Sequence, residues 1–153
     1  MAESWASRRL RWGFNLLPAY RGTGGRVTYI ADDFREVRVR LPLSWRTRNY
    51  VGTIFGGSLY GAIDPIYMIM LIKLLGKDYE VWDKAATIRF KKPGRSTLRA
   101  TFRLDDRELD QIKRDVAASG KTERTYTVEL KDGEGTVCMS CDKLVTIRAR
   151  PPR

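Results

Sequence analysis

The sequence predicts an α+β protein in which an antiparallel sheet wraps around one long central helix. Three observations carry this expectation. A single long apolar segment runs over about residues 57–75. The stretches around it alternate apolar and charged residues with a period of two, the pattern of strands buried on one face. Pro, Gly and Asp-Gly steps cut those stretches into short elements. Strands that are apolar on one side need a cover for that side, and the apolar helix is the element able to supply it.

The elements follow in order. The stretch SRRLRWGFNLLPAY is amphipathic and Arg-rich, and predicts a helix that packs on the core or lies on a membrane surface. Residues 1–17 hold no sustained apolar run, so no signal peptide is expected. Residues 22–25 form a turn or short linker, after which period-two alternation begins. In Glu36–Leu41 the apolar residues face one side and Arg38 and Arg40 the other, and Pro42 ends the strand. The apolar segment is long enough to cross a membrane, since about twenty helical residues reach ~30 Å. Asp64, Pro65, Lys73 and the amphipathic strands around it favour a core helix instead. At ~1.5–3 kcal/mol per large side chain, its burial makes it the main hydrophobic anchor.

Residues 86–91 form a strand with Ala86, Ile88 and Phe90 on its apolar face, followed by a Pro93–Gly94 turn. In residues 97–104, Leu98, Ala100, Phe102 and Leu104 point in, and Arg99 and Arg103 point out. Residues 105–119 read as a helix capped by Asp105 or Asp106, with Leu109, Ile112 and Val116 as its stripe and Gly120 as its stop. Tyr126, Val128 and Leu130 alternate next, Asp132–Gly133 turns, and residues 136–148 close the sheet with Val137, Met139, Val145 and Ile147 on one face. A sheet wrapped in this order around one helix is the hotdog architecture. The chain is expected to be one domain over residues 1–153: an N-terminal helix and linker at 1–22, the hotdog core at 25–148 and a tail at 149–153.

Composition limits the chemistry. The 153 residues are 42% hydrophobic and carry a formal charge of +11, with a pI near 10.0. An anionic partner or a plain solvated basic surface both fit that charge. There is no histidine, which excludes Ser–His–Asp and Cys–His systems, His-ligated metals and His bases. Catalysis must run on carboxylate, Lys, Tyr, Cys or backbone groups. Cys138 and Cys141 have no third ligand to complete a metal site, and strand alternation puts them on opposite faces, so no metal is expected. Two free thiols suit a cytoplasmic location. Arg38, Arg40, Arg89, Arg99 and Arg103 make a basic outer sheet face, but with few aromatics among them to stack bases it does not favour nucleic acid.

The chemistry concentrates in residues 49–65, NYVGTIFGGSLYGAIDP. Gly56 and Gly57 leave backbone N–H groups open at a helix start, where the macrodipole favours negative charge. Asp64 is the one carboxylate in the apolar segment, and a buried carboxylate without a partner needs a reason. A carbonyl-polarising end and a base are the two parts that acyl transfer requires. Two structural alternatives stay open: Asp64 and Pro65 as an N-cap and N1 pair, or Pro65 as a kink in a continuous helix. Lys91, Lys92 and Arg95 flank the Pro93–Gly94 turn, either as a phosphate grip or as an ordinary surface turn.

This segment resembles the motif of hotdog acyl-CoA thioesterases of the phenylacetyl-CoA and 4-hydroxybenzoyl-CoA type. That motif runs Asn, a few residues, Gly, then His-Gly-Gly opening the helix, with a carboxylate about two turns in. Asn49, Gly52, Gly56, Gly57 and Asp64 match it, and Asp64 follows Gly56 by eight positions, as in the motif. RFKKPGRSTLRATFRL is similar to the family's strand–Pro–Gly–strand segment. The resemblance covers residues 25–148 and looks closest to a branch with Phe-Gly-Gly, because Phe55 stands at the histidine position. It implies that the Gly56 N–H, with Gly57, receives the thioester carbonyl oxygen. It implies that Asp64, from the partner subunit, activates water or attacks directly, and that Asn49 orients the water or the carboxylate. The acyl chain would lie in an apolar tunnel between subunits of a homodimer or dimer of dimers. CoA or an acyl carrier protein would carry the thiol, as substrate and not as cofactor. The motif histidine helps to place substrate or water, so Phe55 leaves a non-catalytic acyl or acyl-CoA binding protein as the alternative.

Overall fold

The computed structural model describes residues 3–151, so the ends of the expected N-terminal helix and tail, residues 1–2 and 152–153, lie outside the described residues. The chain opens with α1 (Trp5–Leu16), whose first turn is capped by Ser4 accepting from the Ser7 N–H at 3.2 Å, and a short α2 (Pro18–Gly22) begun by Pro18. Then come β1 (Arg26–Ile30), β2 (Glu36–Leu41), α3 (Gly56–Ile63), α4 (Ile66–Leu75), β3 (Tyr79–Phe90), β4 (Leu98–Arg103), α5 (Asp106–Ser119), β5 (Lys121–Lys131) and β6 (Val137–Ala149). The strands form one antiparallel sheet in the order β1-β2-β4-β5-β6-β3, so β1 and β3 are its edges.

The sheet curls around α3 and α4 in the hotdog arrangement. Leu59, Ile63, Ile66, Tyr67, Met70, Leu71 and Leu75 are buried against Val39, Leu41, Leu98, Phe102, Leu130, Met139 and Ile147. At ~1.5–3 kcal/mol each, the helix side chains alone contribute on the order of 10–20 kcal/mol of burial free energy. Residues 56–75 are long and apolar enough to cross a membrane, but half of the stretch is buried inside the fold, and covering the sheet accounts for its apolarity.

Asp64 and Pro65 both keep right-handed helical dihedrals, so the helix continues through them with a break. Pro65 has no N–H to give the Gly61 carbonyl. The buried Tyr20 hydroxyl donates to the Ala62 carbonyl at 2.8 Å beside the break. Neither Asp64 nor any other side chain caps α4. Of the two structural alternatives for the Asp-Pro pair, the kink is the one that forms.

Two strands differ from expectation. β1 is an additional strand, and β3 begins at Tyr79 rather than near residue 86. Ala86, Ile88 and Phe90 do share the helix-side face, but only Ile88 packs on the core. Ala86 is exposed and Phe90 is 62% exposed, because β3 is an edge strand that its own helices do not fully cover.

Candidate functional site

The loop from β2 to α3 is built by Asn49. Its side-chain oxygen accepts from the Val51 N–H at 3.1 Å and the Thr53 N–H at 3.0 Å, and its amide donates to Thr53 Oγ1 at 2.9 Å. Gly52, at φ +83, supplies the left-handed residue that this tight turn needs. Two bonds then fix the helix start. The Ile54 N–H donates to the Gly94 carbonyl at 2.9 Å, and the Phe55 N–H donates to the Thr47 carbonyl at 2.7 Å. The Pro93–Gly94 turn is therefore tied directly to the start of α3. The Lys91 and Lys92 N–H groups hold the other side of that turn to the Cys138 carbonyl of β6, at 2.9 and 3.1 Å.

The result is a cleft of about 320 Å³ whose walls include Asn49, Thr53, Gly56, Phe90, Lys91 and Lys92. Phe55 is the N-cap and gives no side-chain bond; its carbonyl accepts from the Ser58 and Leu59 N–H groups. Among the described residues the Gly56 and Gly57 N–H groups take no acceptor. Rings crowd the same turn. A Cβ on Gly57 would sit 2.4 Å from the Phe55 ring, and one on Gly56 would sit 3.3 Å from Phe90. Aromatic packing thus leaves little room for a side chain at Gly57 and only a tight fit at Gly56, and the Gly56 N–H, a helix N-terminal donor, borders the cleft. No carboxylate lies within ion-pair distance of Lys91, Lys92 or Arg95 among the described residues. Arg95 and Phe55, 57% exposed, lie outside the cleft lining.

Asp64 is placed differently, and it is not the unpartnered carboxylate that the apolar segment suggests. Its Oδ1 accepts from Lys143 Nζ at 2.6 Å and from the Tyr60 hydroxyl at 2.6 Å. Lys143 comes from β6, is 1% exposed, and also reaches Asp83 Oδ2 at 3.0 Å and the Tyr60 oxygen at 3.1 Å. Burial pulls the Lys143 pKa down, but the bonds from its ammonium to Asp64, Tyr60 and Asp83 outweigh this and hold it above the ordinary lysine value. Burial pushes Asp83 up against the pull of Lys143, and its Oδ1 is buried with no hydrogen-bond partner. Burial likewise raises Tyr60. The Asp64 side chain remains 44% exposed, and its Oδ2 makes no hydrogen bond among the described residues. One oxygen is clamped and the other is presented.

Lys143, Tyr60 and Asp83 are the members of this cluster that sequence reasoning missed. A signal existed for Lys143. It keeps two-residue register with Met139, Cys141, Val145 and Ile147, and so must point inward.

Gly56 and Asp64 do not meet within one chain. Eight helical residues at ~1.5 Å rise put ~12 Å between them, too far to act on one carbonyl. The structure thus gathers Asn49, Gly56, Lys91 and Lys92 around one cleft, and it sets Asp64 two turns away in a separate cluster.

The wrapped helix, the six-stranded sheet and the glycine-led helix start define a hotdog-fold protein. The chain belongs to the family described as a domain of unknown function, DUF4442, which matches residues 6–147. A solved Pseudomonas aeruginosa protein, described as of unknown function and a probable thioesterase, is 22% identical, with a TM-score of 0.82 over 94% of this chain and 95% of that one. A Shewanella oneidensis protein described as a candidate thioesterase is 25% identical, with a TM-score of 0.68 over 94% and 96%. A Haemophilus influenzae thioesterase is 12% identical, with a TM-score of 0.69 over 96% and 93%. No curated protein sequence matches the chain.

Proposed function

We propose that the protein hydrolyses acyl-CoA-like thioesters in a site completed by a second copy of the chain. One observation carries this reading: the helix that offers free N–H groups at Gly56 holds its only carboxylate ~12 Å further on, with one oxygen unclaimed. Two chains paired about a two-fold axis through their uncovered β3 edges would bring the helices alongside each other. Gly56 of one chain would then face Asp64 of the partner subunit.

The chemistry balances without a cofactor. The thioester oxygen accepts from the Gly56 N–H, with Gly57 beside it. Asp64 Oδ2 takes a proton from water as the water oxygen bonds to the carbonyl carbon. The carbonyl electron pair moves to the oxygen, where the helix N-terminus stabilises it. Collapse of this intermediate breaks the C–S bond, the sulfur takes the proton held by Asp64, and a carboxylic acid and a free thiol leave. Lys91 and Lys92 in the cleft wall, with Arg95 beyond it on the same turn, would meet the phosphates of CoA. Phe90 in the cleft wall would lie beside the acyl group, and the exposed Phe55 ring would flank the helix start outside the lining. Asn49 spends its side chain on the loop, so it shapes the approach to Gly56. The motif makes phenylacetyl-CoA and 4-hydroxybenzoyl-CoA the first substrates to try. The two buried free cysteines fit a cytoplasmic setting.

Phe55 in place of the motif histidine favours a second reading, a protein that binds acyl-CoA without turnover. Thiol release over a set of acyl-CoA thioesters separates the two. Hydrolysis that falls ~10²–10⁴-fold in Asp64→Asn supports the first reading. Wild-type turnover in Asp64→Asn refutes it. An acyl-CoA that raises the melting temperature with no thiol released supports the second.

A further inference from the structure

Helix α1 has two apolar faces, and the fold uses one of them. Leu10 and Phe14 pack inward on the core, and Ser7 is buried. The outward face presents Trp5, Trp12 and Leu16 at 71, 64 and 64% exposure. The spacing 5, 9, 12, 16 sets Trp5, Arg9, Trp12 and Leu16 in one stripe. Arg8 beside it is exposed, and the Arg9 guanidinium lies 5.4 Å over the Trp5 ring. α1 has no acidic residue. The carboxylates nearest to it are already engaged: Glu3 bonds Arg11 at 2.9 Å, and Asp32 accepts from the Ser4 N–H at 2.7 Å and the Ser7 hydroxyl at 3.0 Å.

We infer that α1 is a docking face for an anionic phospholipid surface. Indole rings favour the headgroup level of a bilayer, and arginine stems lie along apolar surface while their heads meet phosphate. Twelve helical residues reach only ~18 Å, so α1 lies in the interface and does not span it. A second copy is a poor occupant for two reasons. α1 packs on β1, the sheet edge opposite β3, so pairing through β3 leaves it open. A two-fold contact through this stripe would also set Arg8 and Arg9 against their own copies in a chain of charge +11.

The test mixes the full chain with vesicles of phosphatidylcholine alone and of phosphatidylcholine with phosphatidylserine, following co-sedimentation and tryptophan emission. Binding to the anionic vesicles only, with blue-shifted emission and release by salt, is expected. Trp5→Ser with Trp12→Ser should abolish the emission shift and most of the binding. Arg8→Gln and Arg9→Gln should each weaken binding roughly fivefold. All four positions are solvent-exposed, so an unchanged melting temperature confirms that the variants fold. Failure to bind anionic vesicles at low salt overturns the inference. So does binding that the tryptophan pair does not affect, which assigns it to overall charge alone. Duplex DNA binding that these variants abolish, without vesicle binding, gives the face to nucleic acid. A larger assembly that the tryptophan variants dissolve gives it to a protein contact.

Discussion

Lys143 sits in the interior with two carboxylates on it, and among the described residues neither carboxylate has another cation. Removing one partner of such a cluster leaves uncompensated charge where water is scarce. Lys143→Met should therefore cost about 3 kcal/mol, read from the denaturant midpoint. Asp64 can rehydrate through its open side, whereas Asp83 is more enclosed. Adding Asp83→Asn to Lys143→Met should thus recover part of the loss. The pH dependence has a definite sign. The folded Lys143 pKa lies above the ordinary 10.5, so its contribution is complete below that value and lost as pH rises through the higher folded one. Melting temperature should fall as pH climbs above 10.5, and the difference between wild type and Lys143→Met should shrink there. A difference that stays constant through the alkaline range would mean that Lys143 is not held by these ion pairs.

The break between α3 and α4 is an element-scale device that aims Asp64 at β6 while both half-helices stay buried. Tyr20 supports it with the bond to the Ala62 carbonyl. Tyr20→Phe keeps the ring and leaves that buried carbonyl short of a donor, so it should destabilise by about 1–2 kcal/mol with an unchanged denaturant slope. The elements that were legible in the sequence are those whose pattern is unbroken. β2 and β4 alternate cleanly, and α5 carries its own signals: Asp105 caps it by accepting from the Glu108 N–H, and Gly120 ends it. β1 was obscured because its pairing shifts between Val27 and Tyr29, which puts its buried residues, Val27 and Ile30, three apart. In β3 the register shift between Asp83 and Ala85 reverses which residues point inward, so only the second half of the strand shows a regular alternation. The candidate site was legible in its local part, the glycine pair and the carboxylate eight residues on. For Lys143 the inward direction was legible from its two-residue register, but its pairing with Asp64 was not, because that is set by how β6 lies against the helix, and no local pattern encodes it.

At the scale of the whole molecule, the fold presents an uncovered sheet edge at β3, a cleft at the start of the buried helix, and a strongly basic surface. In the proposed function the first two act together: the edge would pair two chains, and pairing would complete the cleft with the partner subunit's carboxylate. Asp64→Asn removes that carboxylate at nearly constant volume. Gly56→Pro removes the N–H donor at the first helical position, where proline is well tolerated, with the Phe90 ring yielding a few tenths of an ångström. Each variant alone should be inactive in thiol release. The most direct measurement co-expresses the two and assays the mixture. Random pairing makes about half of the dimers mixed, each with one intact site of two, so about a quarter of wild-type turnover should return. A mixture as inactive as its parents, in dimers shown by mass to contain both chains, would contradict the shared site.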